Sequence, residues 1–150
     1  MRISSFVDRG RAIYKFLIAF LIYMIGGFPT LVYALPQGGT ISSGVGTIDT
    51  SGSALTVTQT TNKIIINWES FSIGNNESVI FLQPDSTSSA LNNVLGTSRT
   101  VVEGNLLANG QIVLSNPNGI FLSPNANIDV AGLIASTLKI SEQDFLDGLY

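Results

Sequence analysis

The chain has 150 residues, seven Lys and Arg against ten Asp and Glu for a net charge of −3, and neither Cys nor His. That length is enough for one domain with a core, while the composition excludes disulfide staples, thiol nucleophiles, serine–histidine triads and the usual zinc sites.

The first segment carries export chemistry. Met1 to Lys15 holds Arg2, Arg9, Arg11 and Lys15 against the single acid Asp8, and Phe16 to Ile25 is an uncharged apolar block. Gly26, Gly27, Pro29 and Thr30 then break a helix, and Val32-Tyr33-Ala34 supplies small residues at −3 and −1. This order predicts a signal peptide over residues 1–34, cleaved between Ala34 and Leu35. The alternative is an uncleaved anchor, since Phe16 to Ala34 approaches the roughly 20 residues that span a bilayer. The Gly-Gly and Pro interruption and the Val-x-Ala end favour cleavage. Residues 35–150 then keep three bases, Lys63, Arg99 and Lys139, against nine acids, for a net charge of −6. No basic footprint for nucleic acid remains. A chain without thiols also cannot be locked by periplasmic oxidation, which suits one that crosses a second membrane unfolded.

From Leu35 onward the apolar residues come in threes to fives, rich in Val, Ile, Leu and Phe, and bounded by Gly, Asn, Ser or Pro. Strands are predicted at Gly39–Ile41, Val45–Ile48, Ala54–Thr58, Lys63–Trp68, Ser78–Leu82, Val101–Val102, Gly104–Leu107, Gln111–Leu114, Ile120–Leu122, Asn127–Val130 and Leu133–Thr137. Ile112, Ile120 and Ile128 lie eight residues apart, each opening a short apolar strand followed by a polar turn. Three such steps give a period of about 24 residues, the length of one triangular coil of a parallel β-helix. A β-sandwich fits the short strands as well, because its turns recur just as often. At the C-terminal end Ser141-Glu142-Gln143-Asp144 resembles a capping box opening one or two turns of helix stopped by Gly148. With no closing element after it, the chain reads as the start of a longer protein or a truncated reading frame, since an uncovered β-helix end exposes core and strand edges.

Asn116-Pro117-Asn118-Gly119-Ile120, between two short aliphatic strands, is the most informative turn. Asn tolerates left-handed backbone angles and caps its own turn, Gly lacks a Cβ, and the ring of Pro fixes φ in the range a turn requires. The residues define a coil corner, and a tight structural turn without a partner is the competing reading. Glu69, Glu77, Asp85, Glu103 and Asp129 are scattered singly, with no paired spacing for acid–base work; they read as solvent-facing charges. No catalytic residue, cofactor or metal site is assigned. Asn125-Ala126-Asn127-Ile128-Asp129 has the alternating oxygens of a calcium loop but lacks its Gly and bidentate Glu. Trp68, at the end of an aliphatic strand, reads as core or end-cap packing, with a sugar-binding surface as the alternative.

Several segments, taken in order, resemble the N-terminal secretion domain of the filamentous haemagglutinin and haemolysin family of two-partner secretion exoproteins. They are Leu35–Gly39, Ile66–Gly74, Ala90–Val94, Ala108–Gln111, Asn116–Ile120 and Gly132–Thr137. The resemblance implies a right-handed parallel β-helix over residues 35–150, beginning just after the signal peptide and incomplete at its C-terminal end. It also implies export by the Sec translocon and recognition by the periplasmic domains of a cognate outer-membrane β-barrel transporter. The product is then secreted to the surface of a Gram-negative bacterium, and any host-surface or glycan target belongs to a missing downstream region. Asn116, Pro117, Asn118, Gly119 and Ile120 match the family's secretion motif, read here as a corner whose loss delays coil closure. The family's other motif, Asn-Pro-Asn-Leu, does not occur, and Asn92-Asn93 stands where many relatives have Asn-Arg. A free carbohydrate-binding or adhesive module is the alternative function. A β-helical polysaccharide lyase is a third, disfavoured by three bases in the exported part.

Overall fold

The computed structural model describes residues 34–150; the basic segment, the apolar block, the Gly-Gly-Pro break and Val32 of the expected leader lie outside them. The described chain is a parallel β-helix with three faces. The first face stacks β3 (Ala54–Gln59), β5 (Ser78–Leu82), β8 (Asn105–Ala108) and β11 (Asn127–Asp129) in parallel. The second stacks β4 (Lys63–Trp68), β6 (Ser89–Val94), β9 (Gln111–Ser115) and β12 (Gly132–Ser136), and the third pairs β7 (Thr100–Val102) with β10 (Ile120–Leu122). Ile112, Ile120 and Ile128 fall on β9, β10 and β11, one per face, as the eight-residue spacing predicts. The coil length varies with its turns. Ala54 pairs with Ser78 at the expected period, whereas the coil from Ser78 to Asn105 is longer and that from Thr100 to Ile120 shorter.

Inside, residues one coil apart stack in columns. Leu55, Val79, Leu106 and Ile128 form one, and Ile64, Ala90, Ile112 and Leu133 another. Stacked side chains exclude water from the inner coils, while Ile128 and Leu133 in the last coil are half-buried, and this stacking gives a chain without disulfides its stability. Trp68 is 1 % exposed, edge-on to Phe71 with ring centroids 5.7 Å apart. Burial confirms the core reading and removes the sugar-binding surface.

The structure differs from the sequence expectation in three places. First, Ala90–Val94, absent from the predicted strands, lies in β6, every residue of which is buried. Asn92 interrupts the apolar pattern there because it sits in the interior column between Ile66 and Leu114. Its Oδ1 accepts from Trp68 Nε1 at 3.0 Å, and its Nδ2 donates to the Ala90 and Val113 carbonyls. A buried amide satisfied on both ends is tolerated in a core. Second, coiling does not begin at Leu35. β1 (Thr40–Ser43) runs antiparallel along β4, and β2 (Gly46–Ser51) antiparallel along β3. Together they cover the N-terminal edges of two faces, which would otherwise offer unpaired N–H and C=O groups. Gly44 turns between them with φ 83°, where a Cβ would lie 2.4 Å from the Lys63 carbonyl. Third, Glu77 is not solvent-facing: it is 6 % exposed.

The N-cap half of the predicted capping box forms. Ser141 Oγ accepts from the Asp144 N–H at 3.0 Å, opening helix α1 (Glu142–Asp147), and Gly148 ends it with φ 75°. The helix covers an outer stripe that the sequence leaves unexplained: Ile65, Leu91 and Val113 point away from the interior and are buried by Phe145. Lys63 Nζ donates to the Phe145 and Leu146 carbonyls at 2.9 and 2.6 Å. A cation there adds a donor to carbonyls of the last helical turn, one of which, that of Phe145, also accepts the Gly148 N–H, and it complements the negative end of the helix dipole.

Candidate functional site

The corner between β9 and β10 is built from Asn116 to Gly119. The Gly119 N–H donates to the Asn116 carbonyl at 3.1 Å, closing a four-residue turn in which Pro117 occupies the second position. The Asn118 N–H donates to Asn116 Oδ1 at 2.9 Å, so the first side chain caps the turn it begins. Gly119 has φ 107°, a region that a side chain strains, and its carbonyl accepts from the Thr100 N–H at 2.9 Å.

This corner is tied to the coils on either side. Asn116 is fully buried, and its Nδ2 donates to the Ser98 carbonyl at 3.0 Å and to Thr100 Oγ1 at 2.9 Å, both in the coil below. Its backbone N–H donates to the Ser136 carbonyl in the coil above at 3.0 Å. Asn118 Nδ2 donates to the Gly96 carbonyl at 2.8 Å. Pro117 and Asn118 are exposed, whereas Gly119 and Ile120 are half-buried and Ile120 pairs with Thr100. The five motif residues therefore divide: Asn116 and Gly119 set the corner's shape, Ile120 starts the next strand, and Pro117 and Asn118 face outward. A cleft of about 570 Å³ runs along the same column, lined by Gln37, Glu69, Ser70, Gly96, Thr97 and Ser98.

The acceptors at Gly96, Ser98 and Thr100 were not singled out by the sequence. Their signal is an offset of close to one coil from Asn116 and Asn118, visible only once the period is known. Ala108–Gln111 forms a second corner. Asn109 Nδ2 donates to the Gln83 carbonyl and Asn109 Oδ1 accepts the Gln83 N–H, both at 2.7 Å, so one amide replaces a pair of strand hydrogen bonds. Gln83 Nε2 in turn donates to Gln59 Oε1 at 3.1 Å, one coil below.

The remaining candidates do not converge. Glu69, Asp85, Glu103 and Asp129 are exposed on separate turns and strands, and among the described residues no group of three acidic, His or Cys side chains is placed to hold a metal. Asn127 of the calcium-like segment donates its Nδ2 to Asn105 Oδ1 at 3.2 Å, continuing an Asn column between coils. Asp85 is held by its own turn. The Thr87 hydroxyl and N–H donate to its Oδ1, as do those of Ser88, and hold the carboxyl below its ordinary range. It caps the turn between β5 and β6.

A three-faced solenoid capped at its N-terminal edge, with corners stitched coil to coil by Asn and Gln amides, places the chain among the parallel β-helices. The model of the TPS secretion domain matches residues 33–150, and the chain belongs to that family. It is 44 % identical over 103 residues to a heme/hemopexin-binding protein of Haemophilus influenzae, covering 69 % of this chain and 11 % of that protein. A second heme/hemopexin-binding protein of Haemophilus influenzae is 41 % identical over 88 residues, covering 59 % of this chain and 10 % of that protein. The chain thus spans about a tenth of the length of these curated relatives. Among solved structures, the HMW1 secretion domain of Haemophilus influenzae superposes with a TM-score of 0.72 at 35 % identity, over 75 % of this chain and 30 % of that one. The chain is a secretion-targeting domain of a two-partner secreted protein, and the β-sandwich alternative is excluded.

Proposed function

We propose that residues 1–34 direct the chain through the Sec translocon and are cleaved after Ala34, and that the Asn116–Ile120 corner is the element through which a cognate outer-membrane β-barrel transporter selects it. The exposure of Pro117 and Asn118 beside a buried Asn116 carries this reading: two side chains of the motif reach outward while a third holds their geometry. The exported chain, sparse in charge and free of thiols, threads the barrel unfolded and coils outside a Gram-negative cell. Each coil pairs along the edge of the one before it, so folding proceeds from the capped N-terminal end and draws the chain outward without ATP. The exoprotein this domain delivers is of a binding rather than catalytic type, a reading supported by the names of the two heme/hemopexin-binding relatives.

The test is release into culture medium with and without the co-expressed transporter, for the native chain, Asn118→Ala and Asn116→Ala. Transporter-dependent release, slowed in Asn118→Ala although the secreted variant keeps nearly native stability, is expected. Release that follows stability alone across the three chains defeats the recognition role and leaves a structural turn. Retention in the periplasm in every case defeats the secretion route itself.

A further inference from the structure

Glu77, in the turn before β5, is a buried carboxylate that takes no part in the secretion corner. It accepts the Ala34 N–H on Oε1 at 2.8 Å and the Gly74 N–H on Oε2 at 2.7 Å. Both donors are neutral peptide groups, and a buried carboxylate is stabilised far more by a cation than by amides alone. The bases of the described residues are engaged or distant in the chain: Lys63 caps helix α1, and Arg99 and Lys139 lie on other turns.

Ala34 is also the residue on the leader side of the expected cleavage. Hydrolysis of the Ala34–Leu35 peptide adds one water across the bond, leaving a carboxylate on Ala34 and an α-ammonium on Leu35. The Ala34 N–H departs with the leader. Leu35 stays where it is, because its side chain is 2 % exposed in the core, its carbonyl accepts from Gln37 Nε2 at 2.9 Å, and the Gln37 N–H donates to the Ser70 carbonyl at 2.9 Å. The new ammonium therefore forms within about 4 Å of the vacated donor position, with three N–H groups where there was one.

We propose that Glu77 is a built-in binding site for the α-ammonium of processed Leu35, an inference that rests on cleavage after Ala34. The unprocessed chain offers the carboxylate an amide, and the processed chain offers it a charge. Leader removal thus completes the N-terminal cap with an ion pair, and coil closure is strongest after processing. Two exposed acids lie on the segments paired with this corner: Glu103, whose N–H donates to the Ile73 carbonyl, and Glu69, whose N–H donates to the Gln37 carbonyl; both favour the ammonium, and neither is changed in Glu77→Gln.

The experiment uses the full gene, expressed with its leader, and the processed protein recovered from it. Intact mass tests the processing step alone: an N-terminus other than Leu35 refutes the cleavage reading and with it the pairing. With Leu35 confirmed, the acylation rate of the α-amine is followed against pH for the native chain and Glu77→Gln. An unpaired α-amine titrates near 8. A carboxylate partner moves that value upward, so at pH 8 the native amine is expected to react about fivefold more slowly than in Glu77→Gln, with the two rates converging at high pH. Equal rates at pH 8 overturn the proposal. So does slowing by the same factor at every pH, which is steric shielding. If Glu77→Gln does not fold, the native chain in urea serves as comparator with the same two criteria.

Discussion

Asn116→Ala is the sharpest test of the corner. The substitution removes four hydrogen bonds: Nδ2 to the Ser98 carbonyl and to Thr100 Oγ1, and Oδ1 from the backbone and side-chain nitrogens of Asn118. Ser98 and Asn118 are exposed, so water can replace part of what they lose, at about 0.5–1 kcal/mol for each group. Thr100 is fully buried, and its hydroxyl left beside a small void costs about 1–3 kcal/mol. The expected loss is about 3 kcal/mol, against about 0.5–1 kcal/mol for Asn118→Ala, whose amide donates to the Gly96 carbonyl and to Asn116 Oδ1 at the exposed rim of the corner, where water can replace it. The assay is urea unfolding of the secreted chains followed by circular dichroism. With a slope of about 2 kcal/mol per molar urea, Asn116→Ala lowers the midpoint by about 1.5 M and Asn118→Ala by no more than about 0.5 M. Equal shifts for the two, or a loss below about 1 kcal/mol for Asn116→Ala, would refute the division of the motif into a buried and a presented half.

Three further outcomes follow from the packing. Trp68→Phe leaves Asn92 Oδ1 without its donor inside the core and is expected to destabilise by about 2–4 kcal/mol; combined with Asn92→Leu the loss should be much smaller than the sum, and strict additivity would show that the two do not act as a pair. Lys63→Met keeps the stem but removes the cation at the helix end, so amides of α1 should exchange several-fold faster while those of β9 do not change, a loss of about 1 kcal/mol confined to the helix. Asp85 has a folded-state pKa below its unfolded value, so the hydrogen bonds it accepts contribute above the unfolded value and are lost as pH falls through the folded one. The Thr87 and Ser88 amide resonances should therefore titrate with a midpoint below that of an unperturbed aspartate, and a midpoint at or above it would exclude the capping role.

Much of this architecture is legible in the chain because its corners are local. The Asn-Pro-Asn-Gly turn, the Ser141 cap and the eight-residue steps from Ile112 to Ile128 each depend on residues within a few positions of one another, and each forms as the sequence predicts. The strand at Ser89–Val94 was hidden for the opposite reason. Asn92 and Asn93 look like turn residues until Asn92 is seen stacked on Ile66, with Trp68 donating to it from the coil below. Which face of Ile65, Leu91 and Val113 is buried also depends on a helix that follows all three far along the chain. Glu77 reads as one more soluble acid, and its burial and the bond it accepts from Ala34, 43 residues away in the chain, emerge only in the fold. In a solenoid the neighbour that decides burial or pairing lies a coil away, at an offset that changes with each turn's length, longer from Ser78 to Asn105 than from Thr100 to Ile120. The sequence alone thus determines the turns and the apolar triplets between them, while the variable register between coils, and so the fate of every polar group inside a strand, is decided by the tertiary stack.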